Sequence, residues 1–307
     1  MVEETQVTGA SRLPALSAAE RRDLLLFRVM RSLPVPLVSR IGAHLGHSLG
    51  RRAHPAAAMR ARAALTYLYP ALAADATALE AAQRRLWANV GRLYAEYCVL
   101  ERIGGGARIT LEDPAALQRL LDAGRPVIMA YIHLGNWEAM GADLARRAPG
   151  RICAFAAPLP ANRARAQVAA LQRSRSPARV ITTDRMAWRH ALEHLETPGG
   201  IFYVAVDEVA DGNVAVPSFG RGVQSRGNLG KIVRLAARTG ATIQPVYSER
   251  LPGAHFRTHV LQPLEFARGA ALDDASLQQR TAQIDASFTP VVLRLADQWF
   301  GLLDLRP

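Results

Sequence analysis

The sequence predicts an α/β fold: a mostly parallel central sheet flanked by helices, with an N-terminal helical segment ahead of it. Two observations lead there. Beyond residue 106, short apolar β-rich runs alternate with helix-length segments, and strands alternating with helices build a parallel sheet covered on both faces. Before residue 106 the chain is helical by period and propensity almost throughout. With 307 residues, half of them hydrophobic, there is enough apolar mass for one sizeable core.

Taken in order, residues 1–20 read as a flexible tail. Residues 21–106 form the helical segment, and 107–307 the α/β core of what is one domain overall. The stretch RRDLLLFRVMRSL (21–33) is a short amphipathic helix: Leu26, Phe27, Val29, Met30 and Leu33 share one broad face, with Arg21, Arg28 and Arg31 opposite. That pattern suits a helix lying in a membrane surface or one packed on its own domain. From 37 to 102 the helical pattern breaks near Pro55 and Pro70, and GGG at 104–106 marks a turn. Strands are expected at 126–132, 151–157, 178–183, 200–206, 241–247 and 256–262. Helices are expected at 137–148, 161–174, 185–196 and 228–239, and a last one over 275–302.

The formal charge is +12, carried almost wholly by arginine, since Lys231 is the sole lysine. Guanidinium forks suit phosphate, carboxylate and anionic lipid. They suit nucleic acid too, but aromatic residues are only 6% and no basic–aromatic stripe is interleaved, so no nucleic-acid partner is expected. Cys98 and Cys153 fall in no C-x-x-C pattern, and no His/Cys/Asp cluster has ligand spacing, so no metal is expected. No secretory signal is visible, and no stretch reaches the roughly 18 apolar residues that a spanning helix needs.

One string stands out. In PVIMAYIHLGNWE the apolar run 126–132 ends on His133, turns through Gly135 and opens a helix on Asn136, Trp137 and Glu138. Helix capping accounts for Asn136, and the helix dipole favours Glu138. A histidine closing an apolar strand still needs a partner for its ring. A carboxylate at one imidazole nitrogen would leave the other free to take a proton, and open sheets collect their chemistry at strand C-termini. His133 as general base with Glu138 as its partner is therefore one reading, and a capped turn is the other. No G-x-S-x-G elbow supplies a protein nucleophile, so an attacking group would come from a bound acceptor.

HLGNWE resembles the H-x4-D/E signature of bacterial lipid A late acyltransferases, within the wider lysophospholipid acyltransferase superfamily. RARAALTYLYPALAADATALEAAQRRLWANVGRLYAEY, RSRSPARVITTDR, VAVDEVADGNVAVPSFG, LAARTGATIQPVYSER and ADQWF resemble further blocks of that family in the same order, over about residues 20–300. The resemblance implies an acyltransferase-type fold, with no cofactor beyond an acyl thioester carried by acyl carrier protein or coenzyme A. It implies a lipid or glycolipid acceptor, an anionic membrane surface as partner, and a peripheral place on the cytoplasmic side of the inner membrane. Carried onto this chain, it makes His133 and Glu138 catalytic, with Asn136 and Trp137 shaping the turn. It also implicates Arg175 or Arg185 in holding an oxyanion of the substrate, with Asp207 anchoring an arginine. Trp188, Phe202 and Phe219 read as core residues, with lining of an acyl groove as a second use. Glu208 stands where the family usually has Gln, and Ser218 where an aromatic is common, so acceptors other than lipid A, such as an ornithine lipid, another glycolipid or the head group of a pigment-like polyene, stay open. The alternative functions are a catalytically weak lipid-binding protein of the same fold and, from charge alone, a basic nucleic-acid-binding protein.

Overall fold

Residues 16–307 are described by the computed structural model; most of the expected tail, residues 1–15, lies outside them. The first helix starts earlier than expected, at Ala18, and runs to Ser32. The reason is a capping box: Ser17 Oγ accepts from the Glu20 N–H at 3.2 Å, and Glu20 accepts from the Ser17 N–H at 2.8 Å. Its neighbours are helices Val35–Leu45, Pro55–Leu68 and Ala76–Glu96. The breaks fall at His54 and Tyr69, each directly before a proline, where helical backbone is disfavoured. Helices Val35–Leu45 and Ala76–Glu96 lie unusually close because glycines meet there. A Cβ on Gly91 would run into the Gly42 carbonyl oxygen and the Gly46 backbone.

The core sheet is built from β1 (Ile109–Leu111), β2 (Val127–Tyr131), β3 (Ile152–Ala156), β4 (Arg179–Thr182) and β5 (Ile201–Ala205), with β8 (Thr242–Leu251) and β9 (His255–Val260). A small separate hairpin joins β6 (Val209–Ala210) to β7 (Asn213–Val214). The sheet order is β1-β9-β8-β2-β5-β3-β4, parallel throughout except for the β8–β9 pair. The six expected strands are all present, while β1 and the β6–β7 hairpin, too short to show a period, and helix Pro114–Asp122 were not expected.

β2 lies at the centre, and all five of its residues are buried. Its alternate side chains face two cores. Ile128 and Ala130 join Phe202, Val204 and Ile243 on one side. Val127, Met129 and Tyr131 join Ile201, Tyr203 and Val246 on the other. Burial on both faces explains why this strand reads as a continuous apolar run.

The last helix differs from expectation. It ends at Leu295, and a 3₁₀ turn over Ala296–Gln298 leads to an extended Trp299 and a second 3₁₀ turn, Phe300–Leu303. Leu134 and Trp299 form an antiparallel bridge. The helix gives way because the chain must lie alongside the turn after β2, which a continuous helix could not reach.

Candidate active site

β2 and β5 are parallel neighbours in a register that sets Tyr131 against Ala205. Two residues beyond each strand end, His133 and Asp207 therefore stand opposite one another. The Asp207 carboxylate accepts from the His133 backbone N–H at 2.8 Å and pairs with His133 Nδ1 at 2.7 Å. A third donor, the Trp299 indole N–H, reaches the same carboxylate at 2.9 Å. Asp207 is fully buried, but these three bonds satisfy it, which is what a buried carboxylate requires. Because a carboxylate only accepts, Nδ1 carries the proton. In the neutral ring, Nε2 then holds the free lone pair, and it has no hydrogen-bond partner among the described residues. The His133 side chain remains 32% exposed, so that nitrogen is reachable.

Burial alone would lower the His133 pKa. The charge and hydrogen bond of Asp207, with Glu138 and Glu208 adding negative potential, outweigh it and hold the imidazole above its ordinary value. Trp137 packs edge-on against the imidazole at 4.6 Å, Tyr131 does so at 5.7 Å, and Phe300 packs on Trp137. The backbone is fixed as well: the Phe300 N–H donates to the His133 carbonyl at 2.8 Å, and the Gly135 N–H to the Gln298 carbonyl at 3.0 Å.

Glu138 is not the hydrogen-bond partner of His133, contrary to expectation. It lies in the first turn of helix Trp137–Arg147, exposed to solvent, while Asp207 occupies Nδ1. A neighbour five residues along looks adjacent in sequence, but the helix start turns its side chain away from the buried nitrogen. Glu138 still feels the imidazole. The surrounding protein mass raises its carboxyl pKa, against the opposing pull of His133, Trp137 and Arg173. So a buried carboxylate pairs with the ring and an exposed one acts on it only through its charge.

Asn136 caps helix Trp137–Arg147, accepting from the Ala139 N–H at 3.0 Å. It is 1% exposed and so offers no surface to a substrate; its role is structural. Its side-chain N–H₂ donates to Glu96 at 2.9 Å. Glu96 in turn accepts from Ser39 Oγ at 2.7 Å and is bridged at both oxygens by Arg250, at 2.5 and 2.9 Å. This buried, bidentate ion pair ties the N-terminal helices to the turn that carries His133. Nothing local in the sequence signals it, because its members are spread over residues 39 to 250.

Gly135 takes φ +66°, and a Cβ there would run into the Ser248 carbonyl oxygen, so the turn needs glycine. Asp207 anchors a histidine where an arginine was expected. Arg175 is held by Glu101, which also takes Arg31 at 2.9 Å; this cluster joins helices and is no free oxyanion clamp. Arg185 is exposed in the loop before helix Ala187–Leu195 and touches none of the dyad. Arg173, unforeseen, is the arginine whose charge acts on Glu138 and Tyr97. Trp188 and Phe202 form a T-shaped aromatic cluster with Phe155, as core residues should, and Phe219 packs on Trp299. Glu208 receives the Asn228 N–H at the start of helix Gly227–Thr239, and burial pushes its pKa up to about 6.

Among the described residues, no group of three or more His, Cys, Asp and Glu could hold a metal ion, and no helix is long and apolar enough to cross a membrane. A parallel-sheet α/β architecture with an oriented, solvent-reachable histidine–aspartate pair at two strand C-termini defines the class: an α/β fold equipped for proton transfer. Residues 23–304 match the family model for bacterial lipid A biosynthesis acyltransferase, so this chain belongs to that family and is an acyltransferase at that level. No curated protein matches the chain closely enough to narrow this further.

Proposed function

We propose that the protein moves a fatty acyl group from an acyl thioester to a hydroxyl or amine of a lipid or glycolipid acceptor at a membrane surface, with His133 as general base. The observation that carries this reading is the Nδ1 pairing with Asp207, which leaves Nε2 with its lone pair toward the open side of the ring. Nε2 takes the proton from the acceptor O–H or N–H as that atom attacks the thioester carbonyl. The tetrahedral intermediate collapses, the C–S bond breaks, and the imidazolium returns the proton to the departing sulfur. Products are an ester or amide and a free thiol. Asp207 stabilises the transient imidazolium. Trp137 walls the cleft, and Glu138 faces the acceptor side of it. Helix Trp137–Arg147 brings its N-terminal end to the same place; Asn136 caps the Ala139 N–H, but the Trp137 and Glu138 N–H groups have no partner among the described residues, and a developing oxyanion is favoured there.

A membrane-surface setting is supported by the first helix. It packs on helix Arg163–Arg175, with Glu20 accepting from the Arg163 N–H at 3.0 Å and Met30 and Leu33 resting on a buried cluster. Yet Leu25, Leu26 and Val29 stay 59%, 54% and 48% exposed beside Arg21, Arg22 and Arg28. One side of the helix rests on the domain while apolar side chains with cationic neighbours remain outward, which supports a membrane contact beside its packing role. Acyl carrier protein and coenzyme A are both suitable thioester carriers.

The test is release of thiol from an acyl thioester that depends on added bacterial lipid extract. His133→Ala should cut it by about 10²–10⁴-fold while the fold persists. Undiminished turnover in folded His133→Ala and Asp207→Ala would remove the mechanism.

A further inference from the structure

A concavity opens beside Asp297 and Gln298, between helices Val35–Leu45 and Ala76–Glu96. It encloses about 770 Å³, within the range of small-ligand sites. Five arginines line it (Arg40, Arg84, Arg85, Arg92 and Arg250) against a single carboxylate, Asp297, which is already paired with Arg85 at 3.3 Å. Arg40 and Arg84 are exposed and have no partner among the described residues. Arg92 is half-buried and held only by a neutral amide, Asn89 Oδ1, at 2.8 Å. At the floor, the Arg250 side chain is only 7% exposed; its outer nitrogens bind Glu96, but its buried Nε has no acceptor.

We propose that this groove is a binding site for a phosphate ester, held by Arg40, Arg84 and Arg92 above a floor formed by Arg250. Guanidinium groups gathered in a concavity repel one another unless an anion lies between them. Here burial, and then the positive charge of Arg250, depress the Arg92 pKa against the opposing pull of Glu96 and Asp297, and a bound phosphate would add to that pull. The planar fork matches phosphate oxygens in pairs. Arg84 also borders an adjoining cavity of about 230 Å³, where Arg51 is neutralised by Glu80 at 2.7 Å and Arg52 adds a further cation. One short segment links the groove to the His133–Asp207 pair. Asp297 and Gln298 face the groove, Trp299 holds Asp207, and the Phe300 N–H holds His133. The inference does not rest on acyl transfer, because binding is read without turnover.

Calorimetric titration of the full chain with inorganic pyrophosphate tests it. Saturable one-to-one binding is expected, weakened at least tenfold in Arg40→Gln/Arg84→Gln and in Arg92→Gln, and unchanged in His133→Ala. Circular dichroism confirms that the variants fold; the Arg40 and Arg84 side chains support no other residue. Competition then assigns the source. Displacement by coenzyme A indicates a thioester donor, and displacement by phosphatidic acid vesicles but not phosphatidylcholine vesicles indicates a lipid headgroup. No pyrophosphate binding, equal binding in the folded Arg variants, or displacement by neither competitor would overturn the proposal.

Discussion

Asp207 holds His133 at two points, the backbone N–H at 2.8 Å and ring Nδ1 at 2.7 Å, so a single carboxylate sets both the position and the tautomer of the histidine. Asp207→Asn keeps the shape but can present an N–H to Nδ1 and reverse the tautomer. Its kcat should fall about 10²–10⁴-fold. The downfield proton resonance of the Nδ1–H···Asp207 bond should vanish in Asp207→Asn and persist in Glu138→Gln. Persistence in both would transfer the orienting role away from Asp207.

The raised His133 pKa fixes a pH dependence. A general base works deprotonated, so kcat/KM should fall on the acid side with an apparent pKa above the ordinary value of about 6.5. Asp207→Asn should move that limb to lower pH, since its charge is what raises the pKa. For folding, the sign runs the other way. The pairing contributes fully below the unfolded pKa and is lost as pH rises through the folded one. Matched pH profiles of wild type and variant check both statements.

Glu96→Gln leaves Arg250 buried without its counter-charge. The expected cost is about 3–5 kcal/mol, read from urea unfolding. Replacing both partners together, Glu96→Leu with Arg250→Met, should restore part of that loss, because the stranded charge is gone.

Gly135→Ala combines a positive φ with a clash against the Ser248 carbonyl. We expect a loss of about 1–3 kcal/mol or more in stability. Activity should drop more than tenfold, as the turn displaces His133 from its neighbour.

Leu25→Ser with Leu26→Ser removes two outward-facing apolar side chains from the first helix. Flotation with anionic vesicles should fall on the order of tenfold or more, since each leucine contributes about 1.5–3 kcal/mol when fully buried. Thermal stability should change little, because neither side chain packs inside. Vesicle binding equal to wild type would leave this helix without a membrane role.

What was legible in the sequence is local. The apolar run ending on His133, the glycine turn and the Asn136 cap are all readable within a dozen residues, and the structure keeps each one. The partner of His133 was not readable in that way. Asp207 becomes adjacent only because β5 inserts between β2 and β3, out of chain order. Glu138, near in sequence, was the natural choice and is displaced by strand order. Trp299 was hidden for a different reason: propensity continues the last helix through it, and only the contact with the turn after β2 breaks that helix at Leu295. Glu96 and Arg250 sit on ordinary helical and strand positions, with no local mark of the ion pair they make.

The indole that completes the Asp207 environment is the ninth residue from the C-terminal end of the sequence, and the amide that steadies the His133 carbonyl is the eighth. The two supports are consecutive in the chain, so a single disturbance of the Trp299–Phe300 step would loosen the carboxylate and the histidine backbone together, without touching either member of the pair.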